Sequence, residues 1–317
     1  MKAFILRQTG GAEQLKLEEL AKPAIQPGEV LVKAQAIAIN PIDVFVRKDS
    51  NALKAFLQPA DGQDTFILGW DLAGIIEEVG ADVKDFKKGD AVFGMVNFRG
   101  AGNVYAEYVA APADQLALKP EHTSFEEAAA ACLAALTAWQ ALVTHANLQQ
   151  GQKILIHAAA GGVGHYAVQI AKHLGAHVIG TGSAANKDFI LSLGADEYID
   201  YKQQQFEQLV NDADVVLDPI YGDHLLRSID ATKKGGRIIS LLMDFTGAIG
   251  EKAKAKDIKG YHMGVSSNGK DMRQIASLMA TGALRSHINT SYSFTDLPKA
   301  HQQQEAGNSH GKIVVKL

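Results

Sequence analysis

The chain has 317 residues, of which 47% are hydrophobic and 21% charged, with a formal net charge of −4. These values suggest about two packed domains and exclude a disordered chain, a collagen or a coiled coil. The charges form no long run of one sign, so neither a nucleic acid nor a membrane is indicated as a partner. One cysteine, Cys132, excludes an internal disulfide and a cysteine-rich zinc site. Residues 1–8 lack the apolar core of a secretory signal, so we expect a cytoplasmic protein.

The first part of the chain has the pattern of a β-rich domain. Up to about residue 120, short apolar runs such as 30–34 and 74–80 are bounded by turn residues, which predicts strands of a partly closed barrel. Ser124 and Glu127 have the spacing of a capping box and predict the start of a helix that reaches about residue 146. The apolar stretch 128–138 is interpreted as a buried part of that helix and not as a membrane span.

From Gly151 the pattern changes to strands that alternate with helices. This alternation predicts a parallel, doubly wound sheet. The predicted strands are 153–158, 177–180, 215–218 and 237–242, and the predicted helices are 164–174 and 187–193. Residues 312–317 predict one more strand, which has no helical partner and could return to the first domain.

A glycine-rich turn opens the second half. The strand that ends at His157 is followed by Ala-Ala-Ala-Gly-Gly-Val-Gly and then by a helix, the order that a dinucleotide fingerprint requires. In such a turn one glycine lets the backbone approach the pyrophosphate and another lets helix and strand pack closely. The alternative is a tight turn with no ligand. The residues predicted to bind the cofactor here are Ala160, Gly161, Gly162, Val163 and Gly164.

The next strand predicts which cofactor is used. An NAD site places an acid about 20 residues after the fingerprint, but residues 180–187 contain none. They offer Thr181, Gly182, Ser183 and Lys187 instead, and a hydroxyl with a cation suits a 2′-phosphate. NADPH is therefore predicted, with Tyr201 at the adenosine end. Lys187 could also be a solvated residue of a first helical turn, and Tyr201 a surface aromatic.

Several segments together resemble the medium-chain dehydrogenase/reductase superfamily, and within it the zinc-independent quinone oxidoreductases of the ζ-crystallin-like branch. The segments are Gly151-Gln152, Leu155, Ala159 to Gly162, Gly164, Gln169 and Lys172, then Asn40-Pro41-Ile42-Asp43 with Arg47, Gly69 to Gly74, and Leu133 to Trp139. The resemblance implies an α/β protein with a GroES-like barrel domain (1–122 and 262–317) and a Rossmann doubly wound domain (123–261). It also implies an active site in the cleft between these domains.

The resemblance also implies further contacts. Asn40 is the candidate catalytic donor, to the substrate or to the nicotinamide ribose, with a plain turn-forming role before Pro41 as the alternative. Phe45 stands where many relatives carry tyrosine, so the proton is expected from water or from the ribose. Tyr105 is a weaker candidate donor, for which packing at the edge of the barrel is the favoured role. The remaining implied cofactor contacts are Thr137, Ser240, Leu241, Met263, Gly264, Val265 and Lys312, and the implied substrate pocket includes Phe45 and Met243.

No metal is expected. Zinc-dependent relatives use cysteine at the position of Asn40 and histidine at the position of Trp70, and an amide and an indole are poor zinc ligands. His157, in a predicted core strand, is interpreted as a buried, hydrogen-bonded histidine. His165 could touch the pyrophosphate or pack on the helix.

These observations favour an NADPH-dependent reductase of quinones or α,β-unsaturated carbonyls, because such acceptors are electrophilic without a Lewis acid. One alternative is an enoyl-thioester reductase, although no basic cluster marks a site for the acyl carrier. Another is an NADPH-sensing binding protein with little turnover. The resemblance implies a homodimer, with edge strands of the Rossmann sheets as the contact.

Overall fold

The structure, a computed structural model, describes residues 1–307 and 310–317. It consists of two compact units, one formed by residues 1–136 and 266–317 and the other by residues 137–265. The sequence placed the first boundary at 122/123, before the long helix, whereas the structure divides the chain near the end of that helix. The reason is its contacts: Leu133 donates its backbone N–H to Asp71 Oδ1 at 2.8 Å, and the Cys132 thiol donates to the Leu72 carbonyl at 3.5 Å.

The first unit is a β-rich domain, as predicted. Its strands, numbered in chain order, are β1 (Lys2–Ile5), β2 (Lys16–Glu19), β3 (Glu29–Ile39), β4 (Asp71–Val79), β5 (Ala91–Met95), β6 (Tyr108–Pro112), β7 (Ala117–Leu118), β14 (Ile288–Ser293) and β15 (Lys312–Lys316). β1 and β2 form an antiparallel pair, and the others form a seven-stranded sheet in the order β14-β15-β3-β4-β5-β7, with β6 also paired to β3.

The C-terminal strand returns to the first unit. β15 pairs antiparallel with β3, with Ile313 opposite Ile39, and this confirms the expectation for residues 312–317. The pairing brings Lys312 beside the end of β3, where Asn40 begins the next helix. Most residues of both strands are buried, and both strands have a neighbour on each side in the sheet.

Several helices of the first unit begin with side chains that accept backbone N–H groups. Asn40 and Asp43 form a capping box at α1, Asp49 caps α2, and Ser124 with Glu127 forms the predicted capping box before α3. The ranges are α1 (Pro41–Lys48), α2 (Ser50–Leu57), α3 (Phe125–Trp139), α9 (Gly269–Ala280) and α10 (Leu297–Ala306).

The long helix of the sequence prediction ends earlier as an α-helix than expected. α3 stops at Trp139 and continues as a π-helix over Gln140–His145. The segment Phe125–His145 is long and apolar enough to cross a membrane by length and composition, but 72% of its apolar window is buried in the structure. Such burial is typical of a core helix.

The second unit contains the predicted doubly wound sheet. Its strands are β8 (Lys153–Ile156), β9 (His177–Gly182), β10 (Glu197–Asp200), β11 (Ala213–Asp218), β12 (Thr232–Ser240) and β13 (Lys259–His262), all parallel, in the order β10-β9-β8-β11-β12-β13. Its helices are α4 (Gly164–His173), α5 (Lys187–Ser192), α6 (Phe206–Leu209), α7 (His224–Ala231) and α8 (Gly247–Ala255). The order of the strands reverses between β8 and β11, and ligands of such sheets bind beyond the carboxyl ends of the strands at that point.

Candidate functional site

In the first unit, Asn40 is held by two charged side chains. Lys312 donates from Nζ to Asn40 Oδ1 and, at 3.2 Å, to the Ile39 carbonyl, while Asn40 Nδ2 donates to Asp71 Oδ2 at 2.8 Å. The Lys312 ammonium lies 3.7 Å from the same Asp71 oxygen. We call Asn40, Asp71 and Lys312 the Asn40 cluster. All three side chains are buried, with exposures of 2%, 0% and 3%, so they interact with little screening by water.

Asp43 supports the cluster from α1. Its Oδ2 accepts the backbone N–H of Asn40 at 2.7 Å, and the carboxyl is fully buried. Burial and the nearby Asp71 raise the pKa of Asp43 to about 7, against the opposing effects of the Asn40 amide and the Lys312 ammonium. Burial also raises the pKa of Asp71, although Lys312 opposes that shift.

Tyr105 does not have the surroundings of a free proton donor. It is fully buried and its hydroxyl lies 2.9 Å from Nε2 of His301 on α10. Burial lowers the pKa of His301 to about 3, so this imidazole is neutral at physiological pH and can share a neutral hydrogen bond with the hydroxyl. The packing role that the sequence favoured for Tyr105 agrees with this arrangement.

A buried arginine on α1 forms an ion pair with α10. Arg47, one helical turn after Asp43, is fully buried and pairs with Glu305 of α10, which also accepts from Lys48 at 3.1 Å. Among the described residues, Asp43 Oδ1, Arg47 Nε and Nη1, and His301 Nδ1 are buried without a partner. Buried polar atoms without a partner therefore lie on Asp43, Arg47 and His301, and not on the three residues of the Asn40 cluster.

In the second unit, the glycine turn has the predicted strand–turn–helix geometry. Gly161 donates its N–H to the Ala158 carbonyl at 2.8 Å, and Ala159 donates to the Thr181 carbonyl of β9 at 2.9 Å. A Cβ at Gly164 would lie 2.2 Å from the Ala158 oxygen, so only glycine fits where α4 packs on the turn. The N-cap residue of α4 is Val163, which has no side-chain group to cap the helix. The N-terminus of α4 therefore carries no side-chain cap, and the N-terminus of a helix after such a turn is where a pyrophosphate binds.

The residues predicted for the adenosine end lie at the end of β9 and after it. Thr181 is buried, Ser183 is half-buried and accepts from Asn186 Nδ2 at 3.3 Å, and Lys187 is exposed at the first position of α5. Among the described residues, no carboxylate forms an ion pair with Lys187. Tyr201, just after β10, is 55% exposed. A free cation and a hydroxyl at the end of the second strand are what a 2′-phosphate requires.

A hydrogen-bonded chain that sequence reasoning did not assemble runs beneath this turn. His157 Nδ1 lies 3.1 Å from Thr181 Oγ1, and His157 Nε2 lies 3.1 Å from Ser228 Oγ, which donates to Asp218 Oδ2 at 2.7 Å. The same carboxylate oxygen is 3.0 Å from His224 Nδ1. Because Ser228 donates to Asp218, it accepts from His157 Nε2–H, and Nδ1 accepts from Thr181. The interpretation of His157 as a buried, hydrogen-bonded histidine is confirmed.

The residues predicted for the nicotinamide end are divided between the units. Asn40 and Lys312 belong to the first, and the others to the second. Ser240 is buried and its Oγ accepts from the Met243 N–H at 2.9 Å. Leu241 donates its N–H to the Asp218 carbonyl. The other residues of the second unit range from buried Thr137 and Met263 through half-buried Val265 to exposed Gly264.

The two predicted substrate residues have different surroundings. Phe45, on α1, is 53% exposed, as a residue that meets a ligand can be. Met243 packs partly against the apolar core of the second unit. Their contact with a substrate stays a prediction.

The positions at which relatives bind zinc do not fit a metal here. Both ends of the Asn40 amide are bonded, and the Trp70 indole N–H donates to the Gly100 carbonyl at 2.8 Å in a fully buried position. Elsewhere in the described ranges His157, Asp218 and His224 bring three potential ligand atoms within 4.8 Å of one another. Ser228 bridges two of these groups by hydrogen bonds, so their ligand atoms already have partners.

Comparison with known proteins identifies the family. Residues 26–121 match the alcohol dehydrogenase GroES-like domain, and residues 193–315 match a family model described as zinc-binding dehydrogenase. A 2-methylene-furan-3-one reductase from Solanum lycopersicum is 34% identical, and an NADPH-dependent alkenal/one oxidoreductase from Arabidopsis thaliana is 32% identical; each match covers 99% of this chain and 79% of the relative. The structure of a quinone oxidoreductase from Coxiella burnetii is 35% identical, with a TM-score of 0.91 over 100% of this chain and 99% of that one. The chain thus belongs to the medium-chain dehydrogenase/reductase superfamily, in its quinone oxidoreductase branch.

Proposed function

We propose that this protein is an NADPH-dependent reductase that transfers a hydride to a quinone or to an α,β-unsaturated carbonyl without a metal. The observation that carries the proposal is the glycine turn before α4, whose packing admits only glycine at Gly164 and whose helix has no side-chain cap. The names of the relatives, an alkenal/one oxidoreductase and quinone oxidoreductases among them, support the substrate class.

The residues of the second unit fit the cofactor. The turn at Gly161 and the N-terminus of α4 would hold the pyrophosphate, and Ser183 with Lys187 would hold the 2′-phosphate. When bound, NADPH supplies a hydride from C4 of its nicotinamide, which forms a C–H bond to the acceptor as an electron pair moves onto the carbonyl oxygen.

In this proposal Asn40 stabilises the charge that develops on that oxygen. Its Oδ1 and one Nδ2 hydrogen are used by Lys312 and Asp71, and among the described residues the second Nδ2 hydrogen has no acceptor. A fixed donor of this kind stabilises an oxyanion without reorganisation. The proton that completes the reduction comes from water or from the ribose, because Phe45 offers none and the Tyr105 hydroxyl is bonded to His301.

Steady-state oxidation of NADPH, followed by the absorbance of the reduced cofactor, tests the proposal. The acceptors are 1,4-benzoquinone, 9,10-phenanthrenequinone, a 2-alkenal and an enoyl thioester, with NADH assayed in parallel. Turnover of quinone or alkenal with a preference for NADPH supports the proposal. Turnover of the thioester alone favours an enoyl-thioester reductase, and tight NADPH binding with no turnover favours a sensor.

We further propose a cytoplasmic homodimer. The dimer is supported by β13, which lies at an edge of the second unit's sheet and carries Tyr261 with 43% exposure, since an unpaired edge can join its symmetry mate. Sedimentation velocity of the wild type and of Tyr261→Lys tests it; a wild type that sediments as a monomer contradicts it.

The single cysteine supports a reducing compartment, and cell fractionation tests that location.

A further inference from the structure

The Lys312 ammonium has its contacts inside the protein. The side chain is 3% exposed, and its ammonium contacts the Ile39 carbonyl, the Asn40 side-chain oxygen and the Asp71 carboxylate. Sequence reasoning assigned Lys312 to the cofactor. In the structure the Lys312 ammonium donates to the Asn40 side chain.

Lys312 determines which way the Asn40 amide points. An ammonium group can only donate, so the amide oxygen must face Lys312, and this leaves the amide nitrogen facing Asp71. A flipped amide would place its NH2 group against the ammonium and its oxygen against the carboxylate. One orientation is therefore strongly preferred, and it leaves one Nδ2 hydrogen without an acceptor among the described residues.

Lys312 also polarises that amide. A cation bonded to Oδ1 withdraws electron density from the amide and makes its N–H groups stronger donors, and a buried position strengthens the effect. The same cation offsets the charge of Asp71, which is buried with Asp43 nearby. The Lys312 ammonium thus has two roles: it polarises the Asn40 amide, and it stabilises the buried Asp71 carboxyl.

We propose that Lys312 is a positioning residue for hydride transfer, which orients and polarises the Asn40 amide so that its free Nδ2–H stabilises the oxyanion of the acceptor. This inference rests on the proposed reductase function. The inference predicts a dependence on the acceptor that would not be expected if Lys312 had only a structural role. Acceptors that are weaker electrophiles place more charge on oxygen in the transition state and should depend more on Lys312.

The test compares the wild type with Lys312→Met, and uses Lys316→Met as the matched control because Lys316 lies on the same strand with 57% side-chain exposure. For Lys312→Met we expect kcat with an alkenal to fall by about 10- to 100-fold, less than the roughly 100- to 1,000-fold loss on deleting a direct donor. With 1,4-benzoquinone the loss should be smaller, so the alkenal-to-quinone ratio of kcat falls. The Kd for NADPH, from quenching of protein fluorescence, and the values for Lys316→Met should stay near those of the wild type.

The ratio of the two kcat values does not depend on how much of a sample is folded, so partial misfolding of Lys312→Met does not obscure it. If that variant does not fold, the double variant Asp71→Asn/Lys312→Met removes the opposite charge as well and should restore folding while the ratio stays low. An unchanged ratio in either variant overturns the inference. The proposed function would still stand if wild-type protein oxidised NADPH with these acceptors, and it would fall if the wild type did not.

Discussion

Asp43 accepts the backbone N–H of Asn40 at 2.7 Å from a fully buried position, at the start of the helix that presents Asn40. Asp43 is the residue of the capping box that accepts from the backbone of the N-cap residue. Here burial and the charge of Asp71 raise its pKa to about 7. The anchor of the candidate catalytic residue is therefore a group that titrates close to neutral pH.

The first prediction concerns stability against pH. The folded pKa of Asp43, about 7, lies above its ordinary value of 3.8, so its contribution is fully present below pH 3.8 and is lost as the pH rises through 7. The linked free energy is on the order of 4 kcal/mol. Asp43→Asn keeps an oxygen that can accept from Asn40 but does not ionise. Urea unfolding between pH 4 and pH 8 should show wild type losing stability relative to this variant; a constant difference across that range would contradict the assignment.

A second prediction concerns His157 in the other unit, where the stability should change with pH in the opposite direction. Burial lowers its pKa from 6.5 to about 3, so the stability it contributes is present above pH 6.5 and is lost as the pH falls through 3. Relative to His157→Gln, the wild type should lose on the order of 5 kcal/mol over that interval. The slope against pH is the measurement, because the variant also loses hydrogen bonds to Thr181 and Ser228. Parallel curves would show that His157 is not buried as a neutral group.

A third prediction compares the effects of alanine at two glycines of the same turn. A Cβ at Gly164 would lie 2.2 Å from the Ala158 oxygen and 2.8 Å from Ala159 Cα, both backbone atoms. Gly164→Ala should therefore destabilise the second unit by about 3 kcal/mol or more. At Gly161 the nearest atom would be 3.1 Å away, so Gly161→Ala should fold with a small loss. Its methyl group would occupy the side on which the pyrophosphate is expected, and NADPH affinity should fall. Thermal unfolding and NADPH titration of the two variants measure these effects, and equal NADPH affinity of Gly161→Ala and wild type would argue against a pyrophosphate there.

Local patterns predicted much of the fold. The alternation of strands and helices after Gly151, the capping box of Ser124 and Glu127 and the C-terminal strand are all present. Errors occurred where local signals mislead. The strand predicted at 237–242 begins earlier, at Thr232, despite two internal glycines, and ends at Ser240. The helix after Glu121 changes to a π-helix at Gln140.

The site was predicted in its parts but not in its connections. Asn40 and Lys312 were both singled out, yet they are 272 positions apart in the sequence, and the pairing of β15 with β3 is what joins them. Arg47 and Glu305 are likewise 258 positions apart. No periodicity or spacing in one sequence carries such contacts. The buried aspartates are a signal that could have been used, because each requires a cation or a donor nearby.

The last prediction concerns the choice between NADPH and NADH. Lys187 is exposed, begins α5 and has no ion-pair partner among the described residues. If it binds the 2′-phosphate, Lys187→Ala removes one charge-assisted hydrogen bond, and the Kd for NADPH should rise by about 10- to 100-fold. NADH has no phosphate at that position, so its Kd should not change. Lys234→Ala is the matched control, since Lys234 is also an exposed lysine of the second unit. Fluorescence titration of the wild type and both variants with NADPH and with NADH measures these dissociation constants. An equal loss for NADPH and NADH would mean that Lys187 supports the helix and does not contact phosphate, and the 2′-phosphate would then have to be bound by Ser183 and Tyr201.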